Sequence, residues 1–253
     1  MRSRLALSLE SPPPAEECAV LGAAVLAALG HDCAAAPLPP ALEARVYEYY
    51  VPVVVWALER LASSPHALTT AEASSVEGGA RLTAERLAAG GGIHGGGGGG
   101  GGGALVVGMS APQGCGKTTL TSVLACVLGG APVGCCAVSV DDFYLTGEEQ
   151  DALRDANPGN ALLELRGNAG THDLELGRRT LEALRGGGGG GPVALPRYDK
   201  AARGGYGDRA PPEAWPKAPE GCRLVLLEGW MLGFEPVGAG GGGGGRGHPG
   251  VPC

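Results

Sequence analysis

Residues 111 to 119 read Ala-Pro-Gln-Gly-Cys-Gly-Lys-Thr-Thr and follow the apolar run Ala104-Leu105-Val106-Val107-Gly108. Two glycines, a lysine and a threonine at this spacing, between a strand and a helix, form the pattern of a phosphate-binding loop. Gly114 and Gly116 allow successive backbone N–H groups to curl around phosphate oxygens without a clashing Cβ. Lys117 is placed to reach the β- and γ-phosphates and the Thr118 hydroxyl to hold magnesium. The first position of G-x-x-x-x-G-K-[ST] is Ala111, a small residue in place of glycine. The ligand implied is a nucleoside triphosphate with Mg2+. Its binding residues are Ala111, Pro112, Gln113, Gly114, Cys115, Gly116, Lys117, Thr118 and Thr119.

Two carboxylates stand where they could act on that nucleotide. Asp141 ends the apolar stretch Ala137-Val138-Ser139-Val140, where it could take a proton from an attacking hydroxyl or join the magnesium shell. Its neighbour Asp142 suits a capping or turn role. Glu228 closes Leu224-Val225-Leu226-Leu227, the arrangement of an acid that reaches the metal through water or orients the acceptor. A plain solvent boundary is the alternative for Glu228, and the phosphate loop in the same chain weighs against it. Between the two lie Arg166 to Asp173, Pro196-Arg197-Tyr198-Asp199-Lys200 and Gly207-Asp208-Arg209. Arginines, a lysine and a tyrosine gathered in loops suit an anionic acceptor or a transferring phosphoryl group. Any one of them alone would read as a solvated surface residue.

These groups need elements to hold them. Leu42, Val46, Tyr49, Val53, Ala57 and Leu61 recur at helical spacing, with Pro52 expected to kink or restart the helix. A second helix is expected over Ala80–Ala89, stopped by Gly90, and Ala19–Leu29 reads as an amphipathic or core helix. From about residue 104 the pattern becomes strand–helix alternation, which predicts a parallel sheet flanked by helices. Leu120, Val123, Leu124 and Val127 share one face of the helix after the phosphate loop, and Leu174, Gly177, Leu181 and Leu184 one face of a later helix. The expected organisation is a helical region over 1–89, a glycine-rich linker over 90–103, an α/β domain over 104–237 with a glycine insert at 186–191, and a low-complexity tail over 238–253.

Composition limits the partners. Among 253 residues, 48 are glycine, many in tracts at 95–103, 186–191 and 240–245 that read as flexible inserts. A formal charge of −7 without a Lys/Arg stripe argues against nucleic acid, and no apolar stretch is long enough to span a bilayer. Two arginines and two serines within Met1–Leu7 are only weakly like a targeting peptide, since Glu10, Glu16 and Glu17 follow closely. The eight cysteines contain no C-x-x-C pair and no zinc spacing, so buried reduced thiols are expected. Cys115 is the exception, because the positive end of a helix favours its thiolate.

Read in order, SAPQGCGKTTL, VDDFYLT, NPGNALLELRGNAGTHDL, PRYDK, GDRA and LLEGWMLGF resemble plant-type D-glycerate 3-kinase, a P-loop kinase similar to phosphoribulokinase and uridine kinase. The resemblance spans about Leu105 to Phe234, and more loosely the helix VYEYYVPVVVWALERL. It implies a P-loop kinase fold, ATP and Mg2+ as cofactors, and phosphorylation of D-glycerate to 3-phosphoglycerate in the photorespiratory cycle of the chloroplast stroma. By the same resemblance Asp141, two places before Phe143, is the general base toward the 3-hydroxyl. Lys117 is catalytic, Glu228 is the Walker B acid, and Thr118 with Glu228 holds the metal. Arg166, His172, Arg197, Tyr198, Lys200 and Arg209 are its implied contacts to glycerate or the γ-phosphate. The family continues past LLEGWMLGF, so the chain is expected to be truncated at its C-terminal side.

Alternatives from other classes are a nucleotide-binding fragment or pseudokinase without turnover, and a kinase for another small hydroxyl substrate. A regulatory GTPase is disfavoured because N-K-x-D is missing and Asp141-Asp142-Phe143-Tyr144 lacks the D-x-x-G glycine.

Overall fold

A computed structural model describes residues 15–32, 37–62, 64, 103–129, 133–186 and 192–234. The expected helix over Ala80–Ala89, the segment Met1–Leu7, Cys33, Cys253, the tract at 240–245 and most of the tracts at 95–103 and 186–191 lie outside the described residues.

Helix α1 (Ala15–Ala28) buries Leu21, Val25 and Leu26. It is followed by α2 (Pro40–Arg45), which begins with proline at its first position, where a missing N–H costs nothing. The chain then makes a π turn over Val46–Tyr50 and continues as α3 (Val51–Ala62). The Val51 N–H donates to the Val46 carbonyl, one residue further back than in an α-helix. Pro52 has no N–H to give to the turn before it, and the wider turn absorbs that loss, so the expected kink is a restart of the helix at Val51. Val54, Val55, Leu58 and Leu61 of α3 are fully buried.

Strand β1 (Leu105–Ser110) leads through the glycine loop into α4 (Lys117–Leu128), and β2 (Cys135–Ser139) into a 3-10 turn over Val140–Phe143. Then come α5 (Gly147–Ala156), α6 (Ala161–Glu164) and α7 (Leu174–Arg185). The short strands β3 (Tyr198–Asp199) and β4 (Asp208–Arg209) pair antiparallel, and β5 (Leu224–Gly229) returns to the main sheet. Local chemistry sets several boundaries. Thr146 and Glu149 form a reciprocal capping box on α5, and the Asp173 carboxylate accepts from Leu176 N–H at the start of α7.

The main sheet has the order β1-β5-β2 with both pairings parallel, so the described fold is α/β with helices preceding it and a separate antiparallel ribbon. Its central strand alternates. Leu224 and Leu226 pack into a cluster with Leu21, Val54, Leu58, Leu120 and Leu124, while Val225 packs on the opposite face with Val138, Phe143, Leu184 and Leu195. The N-terminal helices therefore share a core with the sheet. Not every expected apolar face is buried: Leu174, at the open end of α7, is 80% exposed. No helix among the described residues is long and apolar enough to cross a membrane.

Register decides where the chemistry emerges. Met109 pairs with Glu228, and Glu228 pairs with Ser139, so the carboxyl ends of all three strands end at one level. The glycine loop, the 3-10 turn carrying Asp141 and Asp142, and Glu228 itself share that edge, the place where open α/β sheets bind ligands.

Candidate functional site

The glycine loop is built for close approach. Gly114 and Gly116 have φ of +75° and +88°, a left-handed conformation that costs any other residue, and a Cβ on either would meet nothing within 4 Å. The backbone there faces open space, which suits a phosphate laid against successive N–H groups at the start of α4. The loop is tied to the central strand, since the Ala111 N–H donates to the Gly229 carbonyl at 3.2 Å. Lys117 is half-buried and its Nζ donates to the Pro112 carbonyl at 2.8 Å. Cys115 is exposed within the loop.

Thr118, in the first turn of α4, donates from Oγ1 to Glu228 Oε1 at 3.1 Å across the sheet edge. Glu228 is only 5% exposed. Two hard oxygen donors meeting beside Asp141 fit magnesium, which keeps most of its waters and takes one or two protein oxygens. Among the described residues no three His, Cys, Asp or Glu side chains gather into an all-protein metal cage.

The two aspartates divide their work. Asp141 accepts from Tyr144 Oη at 2.8 Å on one oxygen and from Lys200 Nζ at 2.6 Å on the other. Burial would raise its carboxyl, but the Lys200 and Tyr144 hydrogen bonds outweigh it and hold Asp141 below the usual carboxylate value. Asp142 instead ties down the loop after α7: it pairs with Arg197 at 2.7 Å and accepts the Tyr198 N–H at 3.1 Å. Burial raises its carboxyl, against the attraction of Arg197. The capping role expected of Asp142 falls to Ser139, whose hydroxyl accepts from Asp141 N–H at 3.3 Å.

A cavity of about 820 Å³ joins these groups. Lys117, Thr118, Asp141, Glu228, Arg166 and Lys200 all border it. Arg166 is fixed by donating to the carbonyls of Gly205, Tyr206 and Lys200, and lies 5.5 Å above the Tyr198 ring. Lys200 follows β3, at a turn closed by Asp199, whose carboxylate accepts from Ala201 and Ala202 N–H. Arg203, in the left-handed region at φ 52°, pairs with Asp151 and leads into Gly204, Gly205 and Tyr206 on the cavity rim.

The other candidates stand behind that wall. Tyr198 is buried edge-on against the Tyr144 ring at 5.3 Å, and His172 packs tilted against the same ring at 4.6 Å. Burial lowers the His172 pKa and raises that of Tyr198. Arg209 pairs with Asp173 at 3.2 Å and donates to the Tyr144 carbonyl. Arg197 borders a smaller cavity of about 280 Å³ that reaches Thr118, Asp141 and Glu228 from the sheet side.

Three residues of the site were not singled out from sequence. Tyr144 sits one turn after Asp141, a spacing that places its hydroxyl on that carboxylate, and the Asp-x-x-Tyr spacing was there to be read. Trp230 donates to the Gly167 carbonyl at 3.0 Å and lines the main cavity, as does Tyr206. No local signal marked either of these two.

No protein-family model matches the chain. It is 42% identical over 198 residues to the chloroplastic D-glycerate 3-kinase of Arabidopsis thaliana, covering 78% of this chain and 37% of that protein. It is 45% identical over 133 residues to the uncharacterized kinase mug58 of Schizosaccharomyces pombe, covering 52% of this chain and 48% of mug58. Among solved structures, D-glycerate 3-kinase from Cryptococcus neoformans var. grubii is 37% identical with a TM-score of 0.48, covering 54% of this chain and 46% of that one. The chain thus spans less than half the length of each. By sequence, it is a relative of the glycerate-kinase-type kinases to which the Arabidopsis protein belongs.

Proposed function

We propose that the chain carries the phosphotransfer centre of a P-loop kinase that phosphorylates D-glycerate on its 3-hydroxyl at the expense of ATP. The observation that carries this reading is the convergence of the glycine loop, the Thr118–Glu228 contact and Asp141 on one cavity at the carboxyl edge of the sheet. The similarity to the Arabidopsis D-glycerate 3-kinase supports the choice of acceptor.

In this reading the loop N–H groups from Gly114 to Thr118 hold the nucleotide phosphates, and Lys117 leaves the Pro112 carbonyl to reach the β- and γ-oxygens. Thr118 and Glu228 hold magnesium, which when bound neutralises charge on the phosphates. Arg166 and Lys200 face the acceptor and take its carboxylate, while Arg197, Tyr198, His172 and Arg209 hold the wall in place. Asp141 then receives the proton of the acceptor hydroxyl as that oxygen bonds to the γ-phosphorus and the bond to the β,γ-bridging oxygen breaks, releasing ADP. Each oxygen of Asp141 accepts one hydrogen bond, from Tyr144 or from Lys200, and keeps a lone pair with which to take the acceptor hydroxyl proton. Catalysis rests on positioning and charge neutralisation.

The chloroplastic name of the Arabidopsis relative supports the same compartment and a photorespiratory role here, and import of the chain into isolated chloroplasts tests it. The activity itself is tested by incubating the chain with Mg-ATP and, separately, D-glycerate, uridine and pantothenate, and identifying products by phosphorus NMR. The reading expects a 3-phosphoglycerate signal with glycerate alone. A phosphorylated product from another acceptor, or none from glycerate, would overturn it.

A further inference from the structure

At the opposite end of the sheet from the cavity, two cysteines 86 positions apart in sequence meet. Cys222 Sγ lies 3.6 Å from Cys136 Sγ. Cys136 is the second residue of β2 and is buried; Cys222 precedes β5 and is partly exposed.

The backbones under them are already clamped. Arg223 N–H donates to the carbonyls of Val133 and Gly134 at 3.0 and 2.9 Å, and Leu224 N–H to Gly134 at 3.3 Å. Gly134, at φ +55°, permits this approach, since a Cβ there would stand 3.1 Å from Cys222 Cα. The sulfur contact is therefore held by hydrogen-bonded main chain on both sides rather than by mobile loops. Cys135, the sequence neighbour of Cys136, faces the other way, into the core shared by Leu224 and α4.

We infer that Cys136 and Cys222 form an oxidisable dithiol that reacts with low-molecular-weight disulfides such as glutathione disulfide and closes to an intramolecular disulfide. Cys222 is the entry thiol, being the solvent-accessible one. The Cys136 hydrogen bond also holds it below the ordinary thiol value, whereas that contact and burial push Cys136 up. The Cys222 thiolate attacks one sulfur of the oxidant and expels one glutathione thiolate, leaving a mixed disulfide. Cys136 then gives up its proton and attacks the Cys222 sulfur, expelling the second glutathione. Two protein thiols are oxidised, one glutathione disulfide is reduced to two thiols, and the two protons pass to the departing thiolates.

Closure ties the start of β2 to the start of β5, while Asp141 and Glu228 lie at the far ends of those strands, so the bond acts as a staple on the sheet. A crosslink spanning this much chain stabilises the fold mainly by restricting the unfolded state, raising the thermal midpoint by about 5–10 °C.

The test uses the full chain, reduced and then incubated with glutathione disulfide. Peptide mass mapping is expected to find Cys136 joined to Cys222, with two free thiols lost and a raised midpoint that dithiothreitol reverses. Cys136→Ala is expected to accumulate stable glutathione on Cys222, while Cys222→Ala leaves Cys136 unmodified. The inference is overturned if oxidised parent protein carries glutathione on Cys222 without forming the crosslink, or if the mapped bond uses Cys135 or Cys115. Failure of Cys136→Ala to take glutathione on Cys222 would also overturn it. None of these readouts depends on kinase turnover.

Discussion

Two glycines with the same backbone requirement give a sharp test, because only one of them stands in the glycine loop at the start of α4. Gly116 at φ +88° and Gly134 at φ +55° are both left-handed, a conformation that costs an L-residue about 1–2 kcal/mol. Gly116→Ala and Gly134→Ala should therefore each lower unfolding free energy by about that much, Gly134→Ala by the larger amount because its Cβ would press on the Cys222 main chain. Their effects on nucleotide binding should separate. A Cβ at Gly116 would meet nothing within 4 Å, so its cost is backbone strain, and any loop movement that relieves the strain turns N–H groups away from phosphate. A loss of 1.4 kcal/mol is tenfold in affinity, so Gly116→Ala should raise the dissociation constant for Mg-ATP by about tenfold or more. Gly134, at the other end of the sheet, should leave it unchanged. Urea denaturation supplies the stability of each variant and isothermal titration calorimetry its affinity. Binding within twofold of the parent by a folded Gly116→Ala protein would refute the assignment of the loop as the phosphate cradle.

Other expectations follow from the charges. Tyr144→Phe and Lys200→Met each remove a group that holds the Asp141 carboxyl low. The acid limb of the turnover profile, where the base becomes protonated, should move to higher pH in both, as read from initial rates across pH. The stability that Asp141 lends, present above its unfolded pKa and lost as pH falls through its folded one, should shrink in the same variants. His172 has its folded pKa lowered by burial, so the unfolded chain binds its proton first and the fold loses stability as pH falls below the ordinary histidine value. His172→Gln should flatten that part of the curve in thermal melts at stepped pH. Arg197→Met leaves Asp142, 14% exposed, without its cation; because Arg197 itself is 39% exposed, the expected cost in urea denaturation is about 1–2 kcal/mol rather than that of a fully buried pair. Asp142→Asn should cost less, since its oxygen can still accept the Tyr198 N–H.

What sequence reading reached and what it missed divide along local and non-local lines. The glycine loop, the two acids at strand ends and the parallel sheet were legible because each is written in a short run with its own period. Apolar runs marked the strands, and β5 lies between β1 and β2 so that all three acidic or glycine ends fall level. The roles of Asp141 and Asp142 differ through partners far along the chain, Lys200 and Arg197, which no spacing near 141 reveals. Trp230 and Tyr206 join the cavity through folding of distant loops. Leu174, at the helical period of a buried face, is exposed beside Phe234, itself 77% exposed, because that face runs past the end of the core it covers. The Cys136–Cys222 contact was hidden for the same reason: neither residue has a neighbour in sequence that hints at the other.

The account stands or falls on whether the acid at the end of β2 and the glycine loop make one reaction centre. The most direct measurement is ADP release by this chain with Mg-ATP, with and without D-glycerate, in the parent and in Asp141→Asn, alongside nucleotide affinity for both. The account predicts glycerate-dependent release in the parent, reduced by about a hundredfold or more in Asp141→Asn with nucleotide binding retained. Nucleotide binding without glycerate-dependent release, or an Asp141→Asn protein that turns over at the parental rate, would contradict it.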